Sequence, residues 1–188
     1  IQAGADSIYF GVEQLNMRSH SANHFTIDDL HDIAAICAEH GMKSYLTVNT
    51  IIYEDELSAT QELITRLAEV GVDALLVQDM STFAMRRVAL AKVGHVPLLH
   101  ASTQMDNRTA EKVAWLHDLG FTRAVLAREL SVDEIKAIHE AVPEVELEVF
   151  VHGALCVSYS GQCYASQCLF GRSANRGECA QVCRMSYD

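Results

Sequence analysis

Five of the six cysteines lie at or beyond position 156, spaced Cys156-x6-Cys163-x4-Cys168-x10-Cys179-x3-Cys183. Thiols at this density act as metal ligands, as a nucleophile with its helpers, or as disulfide partners. A secreted disulfide scaffold is short and cysteine-dense throughout, whereas here a long cysteine-poor segment precedes one cluster. Structural zinc sites carry two short C-x2–4-C knuckles, and only "CAQVC" resembles one. The tight run of a ferredoxin is absent. The spacing predicts a thiolate-held metal centre without naming the metal. Hydrolase patterns fit poorly. "HSANH" has Ser21 where a zinc protease needs Glu, and "GALCV" lacks the last glycine of a nucleophile elbow. Cys156 with His152 is the one nucleophile–base pair on offer. Cys37, alone in a helical pattern, reads as a small core residue.

The elements that must hold these residues are set by apolar runs. "SIYFGV" (7–12), "KSYLTVN" (43–49), "ALLVQD" (74–79), "VPLLHAS" (96–102), "RAVLAR" (123–128) and "LEVFVHG" (147–153) are continuous and rich in β-branched residues. Such runs fit strands buried on both faces of a parallel sheet. Helical patterns lie between them. "TIDDLHDIAAICAEHG" has Thr26 as its expected N-cap, with Leu30, Ile33, Ala34 and Cys37 on one face. "DELSATQELITRLAEVG" turns Leu57, Leu63, Ile64 and Leu67 inward and stops at Gly71. "NRTAEKVAWLHDLG" and "SVDEIKAIHEAVPE" complete the set, the last with Ser131 and Glu134 at capping-box spacing.

"AGADSIYF", "VGVDALLV" and "LGFTRAVL" repeat one junction: helix end, glycine, polar residue, strand. About six βα units in succession predict an α/β fold of the (β/α)8 TIM-barrel type, incomplete at both ends, with an open doubly wound sheet as the alternative. The barrel part is expected over 1–153 and a cysteine-rich segment over 154–188. The opening "IQAGAD" reads as the tail of a helix, so part of that unit is expected to lie outside the chain.

In such a fold chemistry sits where strands run into the following loops. Those places hold Asn49, Gln78 with Asp79, His100 with Ser102 and Gln104, Arg128 with Glu129, and His152; Asn16, Arg18, His20 and His24 follow the first strand. Convergence of these groups on one face predicts a pocket. His152, Arg128 and His100 are its candidate catalytic groups. Arg18, Asn49, Gln78 and Gln104 are candidate substrate contacts, with Arg172 and Arg176 for phosphate. The formal net charge of −11 argues against a broad grip on a phosphate backbone, though not against a nucleic-acid substrate, for which a local patch or a further domain could supply cations. No run approaches the ~20 apolar residues of a membrane helix, and no leader is visible, so a cytoplasmic location is expected.

"EVFVHGALCVSYSGQCYAS" (148–166) and "GRSANRGECAQVCR" (171–184) closely resemble the signature region of peptidase family U-32, the collagenase-like proteases. The resemblance runs upstream through "GADSIYFGVEQLNMRSHSANHFT", "YLTVNTII" and "LHASTQMDNRT". It implies a barrel-like domain and, by the family's name, proteolysis. Several bacterial members are instead oxygen-independent hydroxylation factors holding a four-iron four-sulfur (4Fe-4S) cluster. These act on 23S ribosomal RNA, transfer RNA or a ubiquinone precursor. The resemblance is closest to the ribosomal RNA branch, which forms 5-hydroxycytidine. It implies Cys156, Cys163 and Cys179 as cluster ligands, Cys183 as the fourth, and Cys168 as a bystander. The alternatives are a peptidase and a zinc-stapled scaffold without activity. RNA is the expected substrate, with a small-molecule hydroxyl source and an electron donor that the sequence does not name.

Overall fold

The computed structural model describes residues 2–12, 25–153, 156–160 and 163–186. They fall into two compact units, Ile1–Leu98 and Leu99–Asp188. The boundary expected at 153/154 lies inside the second.

In the first unit, β1 (Ser7–Phe10), β2 (Lys43–Val48) and β3 (Ala74–Val77) run parallel, with Ser7 opposite Lys43 and Tyr45 opposite Ala74. Every residue of β3 is buried, as its unbroken apolar sequence requires of a strand covered on both faces. The helices α1 (Leu30–Glu39), α2 (Leu57–Val70) and α3 (Ser81–Val93) lie between and after these strands. Leu63, Ile64 and Leu67 of α2 are buried as the spacing predicts; burying each such side chain contributes about 1.5–3 kcal/mol. Leu30 and Cys37 of α1 are buried, while Ile33 and Ala34 are only partly so. Gly71 ends α2 with φ 83°, the left-handed cap its place in the repeated junction implies.

Two helices differ from the sequence pattern. Thr26 does not cap α1. Its N–H and hydroxyl donate to the Asp29 carboxylate at 2.7 and 2.9 Å, forming a turn that delays the helix to Leu30, with Asp29 at the N-cap. The helical set also lacked α3. In "STFAMRRVALAKV" apolar, basic and small residues are mixed around the whole circumference, so no stripe announces a helix; Thr82, Met85 and Ala89 still face inward.

In the second unit, β4 (Leu98–Ala101), β5 (Phe121–Val125) and β6 (Glu146–Glu148) run parallel, joined by α4 (Ala110–Asp118) and α5 (Val132–Ala141). Phe121, Leu99, Leu116 and Leu126 fill its interior. Ser131 and Glu134 form the expected capping box at α5: the Ser131 N–H donates to the carboxylate at 2.7 Å, and the Glu134 N–H donates to the Ser131 hydroxyl at 3.3 Å. β6 is shorter than its apolar run. Its ladder with β5 closes where Leu126 N–H meets Glu148 O, and Val149, Phe150 and Val151 beyond it are exposed. The cysteine-bearing stretch adds the one-turn-and-a-half helix α6 (Ala165–Phe170) and short turns at Ala174–Arg176 and Val182–Arg184. Parallel strands alternating with helices make the fold α/β, as expected.

Candidate functional site

At the C-terminal ends of the first unit's strands, Asn49 and Gln78 are half-buried. The Gln78 Oε1 is buried with no hydrogen-bond partner among the described residues, as are the hydroxyls of Thr50 and Ser81. Orphaned acceptors of this kind cost about 1–3 kcal/mol unless water or a ligand satisfies them. Asp79 acts structurally, accepting from the N–H groups of Ile52 (3.0 Å) and Ser81 (2.9 Å) and so tying the β2 loop to the start of α3. Arg18, with Asn16, His20 and His24, lies outside the described residues.

The second unit brings more of its candidates together. The loop after β4, the loop after β5 and the segment 156–160 meet at Ser160, which is fully buried. Its N–H donates to the Glu129 carboxylate at 2.7 Å and its hydroxyl lies 3.3 Å from the other carboxylate oxygen. The same hydroxyl accepts from Thr103 (3.3 Å) and from the backbone N–H and Nε of Arg128 (both 3.4 Å). Asn107, also fully buried, donates to the carbonyls of Ser102 and Val125 at 2.9 Å, stitching the ends of β4 and β5. Sequence reading passed over Ser160, Thr103 and Asn107 as site residues. The only signal was small polar residues in strand-end loops, a type that loops favour for many reasons.

Cys156 sits beside this hub, with its Sγ 3.2 Å from the Ser158 hydroxyl. Burial pushes the thiol up, but hydrogen bonds from Ser158 and the charge and hydrogen bond of Arg128 outweigh it and hold the thiol below its ordinary value. The partners of Cys156 are therefore Ser158 and Arg128; no hydrogen bond joins it to His152, which is exposed. The Cys156–His152 pair read from the sequence is not formed. His100 lies in β4 opposite Arg123 and is 2% exposed. Burial, then the Arg123 charge, push its pKa down to about 4 against a smaller upward pull from Glu146. It is a neutral, enclosed imidazole at pH 7. Gln104 is half-buried, its N–H donating to the Ser102 hydroxyl at 3.3 Å. Arg172 is exposed and Arg176 half-buried.

All six cysteines are free thiols, so none serves as a disulfide partner. Cys156, Cys168, Cys179 and Cys183 are exposed and Cys163 is half-buried; the Cys179 Sγ accepts from the Gln181 N–H at 3.4 Å. Gln181, between Cys179 and Cys183, holds a left-handed φ of 56°. Among the described residues no three His, Cys, Asp or Glu side chains stand together as a metal-holding group. The four expected cluster ligands, Cys156, Cys163, Cys179 and Cys183, all lie in this second unit. An open groove of about 520 Å³ between α5 and β6, lined by Val132, Ile135, His139 and Leu147 among others, includes none of the candidate residues.

The family model for peptidase family U32 matches residues 1–188, and the chain belongs to that family. It is 47% identical to the 23S rRNA 5-hydroxycytidine C2501 synthase of Escherichia coli, over 98% of this chain and 27% of that protein. It is 41% identical to a collagenase of Porphyromonas gingivalis, over 100% of this chain and 46% of that one. A tRNA hydroxylation protein P of Helicobacter pylori is 34% identical over 98% of this chain and 43% of its own length. The chain thus spans less than half of each of these relatives. Among solved structures, a U32 peptidase superimposes with TM-score 0.58 at 20% identity, covering 78% of this chain and 60% of that one. A 2,3-dimethylmalate lyase superimposes with TM-score 0.56 at 14% identity, covering 94% of this chain and 66% of that one. At these identities the two likenesses speak to fold alone.

Proposed function

We propose that this chain is part of an RNA-modifying enzyme that hydroxylates a pyrimidine base of ribosomal or transfer RNA at its 5-position, without molecular oxygen. The observation that carries this reading is the 47% identity to the rRNA 5-hydroxycytidine synthase over nearly the whole chain, with the tRNA hydroxylation protein behind it. The residues offer matching parts. Arg128 is the cation beside the Cys156 thiol, and Gln78 and Gln104 offer amide contacts at strand ends. Arg172 and Arg176 are candidate phosphate contacts, an arrangement of local cations that suits an acidic chain. The units are read as parts of a (β/α)8 barrel, which would gather strand-end groups at one mouth. RNA as substrate implies a cytoplasmic location; among the described residues no helix is long and apolar enough to cross a membrane.

Cys156, Cys163, Cys179 and Cys183 are proposed as ligands of a 4Fe-4S cluster, with zinc as the alternative. Such a cluster supplies one-electron redox chemistry, and soft thiolates suit either metal. Support comes from five free thiols within one unit. Holding a cluster requires these thiols to draw together. Anaerobically purified full-length protein is expected to contain iron and sulfide and to absorb near ~400 nm, as thiolate-ligated clusters do. Stoichiometric zinc in a colourless protein would overturn the cluster.

The 41% identity to a collagenase favours a second reading, a peptidase with Cys156 as nucleophile. Mapping hydroxylated nucleosides in ribosomal and transfer RNA of a strain lacking the gene separates the two. Loss of a hydroxypyrimidine supports the RNA enzyme. An unchanged inventory, with gelatin cleavage that disappears in Cys156→Ala, supports the peptidase.

A further inference from the structure

We infer that Tyr159 and Arg108 form a stacking platform for an unpaired base of the RNA substrate. The platform presupposes the RNA function proposed above and specifies where in the second unit a base is held. The Arg108 guanidinium lies over the Tyr159 ring, 5.0 Å from its centroid, within cation–π range. That guanidinium is held by the Asp106 carboxylate, and Asp106 takes a left-handed φ of 60°, which bends the loop after β4 back on itself. The backbone that carries the ring is anchored as well, because the next residue is Ser160. The buried hydroxyl and N–H of Ser160 are tied to Glu129, Thr103 and Arg128. The backbone next to Tyr159 is therefore anchored from three chain segments, its ring carries the Arg108 guanidinium, and the residue itself is 62% exposed.

A scattered surface tyrosine is unremarkable, being flexible and unsupported. Tyr159 differs because its support is buried, its guanidinium neighbour is anchored, and it stands at the C-terminal ends of parallel strands, where such folds bind ligands. Nucleobases all present a π-face, and an aromatic ring backed by arginine accepts them without reading their identity. A chain with net charge −11 is poorly suited to a broad electrostatic grip, and stacking beside a local cation such as Arg108 is a contact that suits it. The ring is three residues from Cys156, on the same pinned loop. A base seated there lies at the strand ends where the candidate chemistry is.

The test uses full-length protein and an unstructured RNA oligonucleotide carrying one 2-aminopurine, whose fluorescence is quenched on stacking, with affinity followed by anisotropy. Tyr159→Ala is expected to abolish the quenching and weaken binding about tenfold, the factor one stacked base supplies. Tyr159→Phe keeps both, and Arg108→Ala weakens binding several-fold. Tyr159→Leu fills the same space without a π-face and serves if the alanine variant fails to fold. If a folded Tyr159→Ala or Tyr159→Leu protein binds and quenches like the parent, the platform is overturned while the RNA reading stands. If the parent binds no RNA and the cell's hydroxylated nucleosides do not depend on the gene, both fall. If the parent binds no RNA although those nucleosides do depend on it, only the platform falls.

Discussion

Burial and charge act on two side chains at the strand ends of the second unit with opposite consequences. His100 is enclosed and its pKa is pushed down to about 4, mainly by burial and then by Arg123. The unfolded chain, with a histidine near 6.5, binds the proton first as pH falls. His100 therefore adds stability that is complete above about pH 6.5 and is lost as pH drops toward 4. The loss amounts to roughly 3 kcal/mol at about 1.4 kcal/mol per pH unit. Urea midpoints measured from pH 7 to 4 are expected to fall steeply for the parent and less steeply for His100→Gln. Equal slopes would show that the imidazole is not held neutral by burial. Cys156 is exposed, and Ser158 and Arg128 hold its thiol below the ordinary range. In metal-free protein, iodoacetamide labelling of Cys156 is expected to reach half-maximum at lower pH than for a free thiol. Arg128→Gln should move that midpoint upward. Sequence marked Cys156, Arg128 and His100 as chemical residues because their types do chemistry. It had no way to mark Ser160 or Asn107, whose importance lies in bonds to residues far away in the chain.

Elements are set by two kinds of local rule, one easily read from sequence and one not. The junction "VGVDALLV" announces its geometry: a glycine must follow α2 because only glycine takes φ 83° without strain. Nothing lies within 4 Å of a Cβ added at Gly71, so Gly71→Ala tests backbone strain alone. It is expected to lower stability by about 1–2 kcal/mol in thermal or urea unfolding. No loss would mean the helix end can readjust. Just beyond it Asp73 accepts from Lys43 Nζ (2.8 Å) and from the N–H and hydroxyl of Ser44 (2.9 and 3.1 Å), fastening β3 to β2. Burial raises the Asp73 carboxyl, but these bonds outweigh it and hold it below the usual aspartate range. Its stabilisation is present above about pH 3.9 and is lost on further acidification. Asp73→Asn should weaken the fold at pH 7 and narrow the difference from the parent below that range. Helix α3 shows where pattern reading stops. Its inward residues Thr82, Met85 and Ala89 are chosen by the neighbouring packing, since α3 lies against α2, rather than by a hydrophobic stripe.

Across the whole molecule, fold class and family were readable from strand runs, junctions and the cysteine signature, because each rests on residues close together in sequence. The assembly of the thiols was not, since it depends on how segments fold back on one another; among the described residues no three metal-ligating side chains stand together. The relatives divide in the same way, with RNA-hydroxylating proteins and a collagenase all matched over nearly the full chain. What separates them is the identity of the molecule acted on. The most direct measurement is nucleoside mass mapping of ribosomal and transfer RNA from a deletion strain complemented with the parent gene or with Cys156→Ser. One 5-hydroxypyrimidine should vanish on deletion, return with the parent and stay absent with Cys156→Ser, under anaerobic growth as well. An identical set of hydroxylated nucleosides in all three strains would contradict an RNA-modifying role.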